Sequence, residues 1–347
     1  VDINDERMIV EYKDGTSDYI DLTEHVEKNS SSGFFVTLKL DTDLKPGKKF
    51  KAGDILAYDK SSFSSNIGED NNIAYNIGAI NKIAILNTDE GYEDSAIISK
   101  DLSDALTSDV VLCKQINLNK NTNVYNMVKK GQSIQEGDTL MIIQTPYDDE
   151  DANILLRNLA TDEEEVTNLG RIPIKSKVTG VIQDIVISRC VDTDELSPSL
   201  KKIVNDYEKD IKRRRKEMEQ YNSDTTSLMS LGSTDKLPAT GKLKACSDGL
   251  LIEIYMKYED RMSVGDKLIY MSALKGVVKD IFPEGDEPRS KYRPNEKIHS
   301  MLSIGSVNAR MVCSVLITAG IYKAMVELSR KTKDILGIPY NDNLFEN

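Results

Sequence analysis

The sequence predicts an α+β fold that is mostly β, and three patterns support that class. Up to Arg189, segments rich in β-branched and aromatic residues outnumber helical patterns. The phrase Gly-Asp-x-Leu occurs three times, at 53–56, 137–140 and 265–268. Each copy is typical of a turn that starts a strand, because glycine supplies a positive φ and aspartate caps its own backbone, and such recurrence favours barrels and hybrid sandwiches. Long helical patterns occur only in the later part of the chain, at 198–221 and again after 303–311, up to about residue 336.

Length and composition limit the classes of function. A chain of 347 residues is long enough for two or three domains. The net charge of −12 argues against a protein that coats nucleic acid by itself, although a few basic residues could face a shared channel. Because no run of about 18 apolar residues exists, no membrane span is expected. The four scattered cysteines fit a reducing cytoplasm and, with two histidines, do not make a convincing zinc site.

The individual elements follow from local patterns. A short helix at 100–106 is predicted behind the cap Ser99, and a long helix at 198–221 behind Ser197-Pro198. The basic run 212–216 could contact nucleic acid or form a solvated helix face. The polar stretch 60–75 is typical of an exposed loop, and 222–238 of a linker. Strands are expected at 7–13, 34–40, 77–86, 109–116, 139–144, 178–188, 249–258 and 277–281.

The stretch 263–276, S-V-G-D-K-L-I-Y-M-S-A-L-K-G, is the first candidate site. It predicts a turn at Gly265-Asp266, an apolar strand, and a loop that ends in Lys275-Gly276. Because a strand and its turn separate Lys267 from Lys275, both ammonium groups could reach one side of a small barrel. Two lysines beside a glycine would suit a phosphate group. The alternative is a pair of solvated surface lysines.

Two further sites are suggested by residue type. Glu93 and Asp94 precede an apolar strand, where adjacent carboxylates can bind a divalent metal; the alternative is a turn cap beside a solvated glutamate. Arg310 is expected at the start of a helix, where a guanidinium can hold a triphosphate with two hydrogen bonds. A capping or ion-pair role is the alternative for this arginine.

An acidic turn and a short apolar helix are predicted at 149–161, D-E-D-A-N-I-L-L-R-N-L-A-T. The helix would either pack on its own domain or form an exposed docking knob for a second protein. Its apolar residues are Ile154, Leu155, Leu156 and Leu159.

Four stretches resemble the β subunit of multisubunit RNA polymerases, and they occur along this chain in the same order as in that family. G-Y-E-D-S-A-I-I-S-K at 91–100 is similar to the family phrase G-Y-N-F-E-D-S-I-L-V-S-E-R-L. The lysine segment resembles G-D-K-x-A-x-R-H-G-N-K-G, with M-S-A-L at 271–274 in place of R-H-G-N. Arg310-Met311 matches the same pair in L-G-V-P-S-R-M-N, and 152–160 stands where the family has its flap-tip helix.

The resemblance implies a double-psi β-barrel with an inserted flap-like β domain and a long C-terminal helical region. Residues 1–106 would begin the barrel, 107–248 would form the flap-like insertion, and 249–347 would complete the barrel. The similarity covers most of 7–336 and corresponds to the C-terminal half of a β subunit. The N-terminal half and the final clamp-contacting segment are not recognised, an arrangement similar to the divided β subunits of giant-bacteriophage polymerases.

The resemblance also implies a function in DNA-dependent RNA synthesis, in the cytoplasm of an infected bacterial cell. Lys267, Lys275 and Arg310 would bind nucleotide and RNA phosphates, and Glu93 with Asp94 would lie near the second magnesium ion. The Asp41/Asp43 and Asp192/Asp194 pairs lack the third acid and the glycine of the family's N-A-D-F-D-G-D sequence, and are interpreted as turn residues. The catalytic aspartates and most Mg²⁺ ligands would therefore come from a β′-like chain, so the isolated chain would be inactive.

Other expected partners are the N-terminal half of β, a sigma-like promoter-specificity factor at the flap tip, the DNA template and the nascent RNA. Two other functions stay open: a non-catalytic scaffold that keeps the barrel and flap as assembly surfaces, and a self-sufficient phosphotransferase. The missing aspartate cluster disfavours the phosphotransferase.

Overall fold

The computed structural model describes residues 2–28, 35–65, 71–76, 78–86, 94–144, 170–221, 248–271, 274–311 and 313–337. The chain has an α+β fold, mostly β with few helices, as predicted. It divides into two compact units, one formed by 1–76 with 109–258 and the other by 77–108 with 259–347. No helix in these ranges is long and apolar enough to cross a membrane.

The regular elements of the described ranges are numbered in chain order. The strands are β1 (Asp2–Ile3), β2 (Arg7–Glu11), β3 (Ser17–Asp21), β4 (His25–Lys28), β5 (Phe35–Leu38), β6 (Phe63–Ser65), β7 (Ile73–Tyr75), β8 (Ile83–Leu86), β9 (Ser95–Ser99), β10 (Ser108–Asn119), β11 (Asn123–Tyr125), β12 (Ser133–Ile134), β13 (Thr139–Gln144), β14 (Arg171–Lys175), β15 (Gly180–Arg189), β16 (Gly249–Asp260), β17 (Lys267–Tyr270), β18 (Leu274–Phe282) and β19 (Ser300–Ser303). The helices are α1 (Lys100–Ala105), α2 (Pro198–Glu219), α3 (Ile304–Arg310) and α4 (Cys313–Leu336).

The first unit is built from small antiparallel sheets around an aliphatic core. Its four-stranded sheet has the order β10-β16-β15-β12, and a three-stranded sheet has the order β11-β13-β14. Leu200 and Val204 of α2 are fully buried in the same core as Leu140, Ile182 and Ile252. The side-chain oxygen of Ser197 accepts a hydrogen bond from the N–H of Leu200, so α2 begins at the predicted cap. Gln144 pairs with Arg171, so the chain leaves and re-enters this hairpin at opposite positions.

The second unit contains one five-stranded sheet in the order β17-β18-β9-β19-β8. The pairs β18/β9 and β19/β8 are parallel, whereas β17/β18 and β9/β19 are antiparallel. Parallel pairs need long connections, and here β9 is joined to β18 through the whole of 100–273. The core contains Ile98, Leu102, Leu274 and Val278. Ser99 caps α1 through a 3.1 Å hydrogen bond from the Leu102 N–H, as predicted.

The three Gly-Asp turns share one geometry, which confirms the predicted turn in each copy, but the predicted strand does not follow the first copy at 53–56. The glycines at 53, 137 and 265 have φ of +94°, +90° and +99°. In each turn the aspartate carboxylate accepts the N–H of the residue three positions earlier, at 2.8, 2.8 and 2.7 Å. The second and third copies lead directly into β13 and β17. The aspartate therefore closes the turn and the glycine provides its left-handed backbone.

Several sequence predictions of local structure are wrong. The polar stretch 60–75 contains the hairpin β6/β7 rather than only a loop, and the strand expected at 77–86 is confined to its second part, β8.

The basic run of α2 is partly neutralised by neighbouring acids. Lys212 pairs with Glu208, and Arg213 pairs with Asp210.

Candidate functional site

The β17/β18 hairpin places both candidate lysines on one face. Lys267 pairs with Val277 and Ile269 with Lys275. Since side chains alternate along a strand, all four point to the same side, and all four are exposed. The two lysines occupy diagonal positions, whose Cα atoms in antiparallel pairs are about 7–8 Å apart. A single phosphate group, or two successive phosphates of a nucleic-acid backbone, can contact both ammonium groups at that separation.

The lysine face is amphipathic rather than purely basic. Ile269 is 59% exposed, lies directly opposite Lys275 and follows Lys267 by two residues on the same strand. Within the part of the chain that the structure describes, neither Lys267 nor Lys275 forms an ion pair. In a chain of net charge −12, two uncompensated ammonium groups side by side make a local site that attracts anions.

Gly276 and Lys275 differ from their predicted placement. Lys275 belongs to strand β18 and not to a loop, because it pairs with Ile269 of β17. Gly276 is buried on the opposite face from the lysines. A Cβ built on it would meet the Ala96 Cβ at 3.7 Å, an ordinary contact. The expected approach of a ligand to this glycine is therefore wrong.

Asp94 connects the β17/β18 hairpin, called the lysine hairpin because it carries Lys267 and Lys275, with helix α3 through its backbone. Its carbonyl accepts a 2.8 Å hydrogen bond from the N–H of Val277, and its own N–H donates to the Ser306 Oγ at 2.9 Å. Its φ of +62° is left-handed, a conformation that aspartate tolerates better than most residues. The Asp94 side chain is exposed. One of the predicted metal-site acids thus lies beside the strand that carries Lys275.

Arg310 ends a helix instead of starting one. The stretch 304–310 is itself helix α3, Met311 has a left-handed φ of +49°, and α4 begins at Cys313. The expected position at a helix N-terminus is therefore wrong. Arg310 lies one turn beyond Ser306, about 6 Å farther along the helix axis. The sequence reading missed Ser306, which is fully buried and bonded to Asp94.

Other predicted site residues lie outside the described residues. These are Glu93 and the docking residues Ile154, Leu155, Leu156 and Leu159. Among the described residues, no group of three or more histidine, cysteine, aspartate or glutamate side chains could hold a metal ion. Asp43 pairs with Lys60 at 2.6 Å, and Asp194 pairs with Lys201.

A second polar cluster lies around the buried His299. The Nδ1 atom of His299 accepts the N–H of Lys82 at 3.1 Å. Burial, together with the ammonium charge of Lys82, lowers the pKa of His299 below its usual 6.5. The Lys297 ammonium pairs with Asp101 at 3.0 Å and with Glu287 at 3.5 Å. The bond with Asp101 raises the pKa of Lys297.

Glu287 carries its charge in this cluster with help from the backbone. Burial opposes ionisation, but hydrogen bonds from its own N–H and that of Gly285, with the charge of Lys297, lower its pKa overall. Because its cation and its hydrogen-bond donors are already in place, the cluster has the character of a structural network.

In comparisons with known proteins, no protein-family model and no curated protein matches this chain.

Proposed function

We propose that this chain is a β-type subunit of a DNA-dependent RNA polymerase, similar to the C-terminal part of β. In this role the lysine face positions RNA and nucleotide phosphates, while a β′-like partner carries the catalytic aspartates and the first magnesium ion. The flap-like insertion would dock a promoter-specificity factor. The double-psi form of the barrel and the flap identity of the β11-β13-β14 sheet are parts of the same proposal.

The observation that carries the proposal is the bonding of Asp94 to both neighbouring stretches. Asp94 belongs to the family-like stretch 91–100, Val277 directly follows the lysine segment 263–276, and Ser306 lies four residues before Arg310. Two hydrogen bonds of 2.8 and 2.9 Å join these three residues. The uncompensated charges of Lys267 and Lys275 beside this junction suit phosphate contacts.

The side chain of Asp94 is chemically suited to contact a magnesium ion whose other ligands come mainly from a partner chain. Its carboxylate is exposed, and oxygen ligands are those that Mg²⁺ prefers. When bound, the ion would stabilise negative charge on the reacting phosphates. Asp94 would contribute one ligand or hold a magnesium-bound water, whereas the lysines would hold the phosphate oxygens.

The test is a photo-crosslinking experiment on the assembled polymerase. A tagged copy of the chain is used to purify its native complex, which is then given a template and a short RNA with 4-thiouridine at its 3′ end. We expect the crosslinked peptide to map to 263–282, because the lysine face would lie within reach of that nucleotide. Lys267→Ala with Lys275→Ala should reduce RNA retention, whereas Lys291→Ala, an exposed lysine outside the hairpin, should not.

The same experiment separates the scaffold alternative. A scaffold would copurify with its partners and leave their RNA synthesis unchanged when both lysines are removed. A complex without template-directed synthesis, or crosslinks only to other chains, would contradict the polymerase proposal.

A further inference from the structure

Helix α4 presents a regular apolar stripe on its outer side. The positions of the stripe are separated alternately by four and three residues, which is the repeat of about 3.5 found in coiled-coil seams. The isoleucine and leucine members are well exposed, from 56% for Ile321 to 84% for Ile335. The stripe consists of Ile317, Ile321, Ala324, Leu328, Lys331 and Ile335.

The opposite side of α4 is already attached to its own unit. Val315 is 1% exposed within the core. Arg330 pairs with Glu296 at 2.8 Å, and Glu327 accepts a 2.6 Å hydrogen bond from Arg293. Both ends of these contacts belong to the second unit. The helix therefore cannot turn its stripe inward without losing a buried valine and two ion pairs.

Lys331 indicates the chemistry of whatever covers the stripe. It occupies a seam position between Leu328 and Ile335, and it forms no ion pair within the described part of the chain. An ammonium group enclosed by apolar contacts is costly unless a carboxylate pairs with it. A second copy aligned in parallel would set Lys331 against its own equivalent, and each copy has a net charge of −12. Charge therefore favours a different chain over a second copy.

We propose that the α4 stripe binds one α-helix of a different polypeptide, with apolar residues at its own seam positions and a carboxylate opposite Lys331. The 4-3 spacing of the stripe suits knobs-into-holes packing with a second helix. The inference uses α4 alone and is independent of the polymerase assignment.

The probe is a synthetic three-heptad helical peptide with leucine at its seam positions. It is made with either glutamate or lysine at the position that faces Lys331, in versions for parallel and antiparallel alignment. Binding to the full chain is measured by fluorescence anisotropy. The better glutamate peptide should bind about tenfold more tightly than its lysine counterpart, which corresponds to about 1.4 kcal/mol. The Lys331→Glu variant should reverse that preference.

Two variants complete the design. Ile321→Asp with Leu328→Asp should weaken binding at least tenfold, whereas Ser329→Asp, exposed but off the stripe, should leave it unchanged. All these side chains are exposed, so circular dichroism should show an intact fold. Sedimentation of a dimer that Ile321→Asp abolishes would assign the stripe to a second copy and overturn the proposal. Equal affinity for both peptides, no peptide binding, or stripe-dependent binding to phosphatidylserine vesicles would also overturn it.

Discussion

The N–H of Val277 donates a 2.8 Å hydrogen bond to the carbonyl oxygen of Asp94, which holds the residue before β9 against strand β18 at the open end of the lysine hairpin. The Asp94 N–H in turn donates to the buried hydroxyl of Ser306, at 2.9 Å. A single left-handed residue therefore couples an edge hairpin to helix α3.

Ser306→Ala should destabilise the second unit by about 1–2 kcal/mol, because it removes the acceptor of the Asp94 N–H inside the structure. Urea unfolding should detect the loss as a lower midpoint. Ser329→Ala is the matched control, since that serine is also helical but exposed, and its effect should stay within about 0.5 kcal/mol. Equal midpoints for the two variants would show that the Ser306 hydroxyl contributes nothing to the fold.

Alanine substitutions at three glycines should have different signs. Gly265→Ala forces a side chain into a φ of +99° and should cost about 1–3 kcal/mol. Gly276→Ala, where the nearest atoms lie at 3.7 Å, should change stability much less. Gly320→Ala lies within α4 with open space around it and should stabilise by about 0.5–1 kcal/mol. Thermal unfolding of the three variants compares them directly, and a stabilising Gly265→Ala would contradict the turn geometry.

The sequence predicted the three Gly-Asp turns, at 53–54, 137–138 and 265–266, because their causes are local. A glycine, an aspartate and the N–H three residues earlier are enough to specify the geometry, so three copies give the same result. The caps Ser99 and Ser197 were predictable for the same reason.

Non-local contacts were not predictable in this way. The bond between Asp94 and Ser306 joins residues 212 positions apart, and no periodicity indicates such a pair. Arg310 was misplaced because the end of α3 depends on the left-handed backbone of Met311, for which methionine gives no signal. The burial of Gly276 follows from the register of β17 with β18, in which Gly276 pairs with the buried Leu268.

Acidification should weaken the second unit through His299. The pKa of this histidine is lowered in the folded state, chiefly by burial, so the unfolded chain binds a proton that the folded chain resists. Stability should therefore be complete above the ordinary pKa of about 6.5 and fall as the pH drops from there towards the lowered value. Glu287 acts in a separate window, since its lowered pKa protects stability until the pH falls below about 4.5.

Urea midpoints measured between about pH 5 and pH 8 should show this slope in wild type. His299→Gln should flatten it, because glutamine does not titrate. His25→Gln is the control, since His25 is the chain's other histidine and belongs to the first unit. A slope that persists in His299→Gln would assign the pH dependence to other groups.

If the chain is the proposed polymerase subunit, the lysine face should determine how the assembled polymerase initiates RNA synthesis. Each charge-assisted contact from Lys267 or Lys275 to phosphate is worth about 1.5–3 kcal/mol, or about ten- to a hundredfold in rate or affinity. Lys267→Ala or Lys275→Ala should therefore raise the concentration of initiating nucleotide needed for the first phosphodiester bond. Elongation should be less affected, because a long RNA–DNA hybrid supplies other phosphate contacts. Arg310→Ala should instead raise KM for every incoming nucleotide.

Dinucleotide formation and single-nucleotide extension, each measured against nucleotide concentration, distinguish these effects. Lys291→Ala should behave like wild type in both assays, because its exposed side chain lies outside the hairpin. The diagonal placement of the two lysines predicts that the double variant loses less than the sum of the single losses if both contact one phosphate. Additive losses would mean separate phosphates, and wild-type behaviour of both single variants would mean that the hairpin face is only solvated.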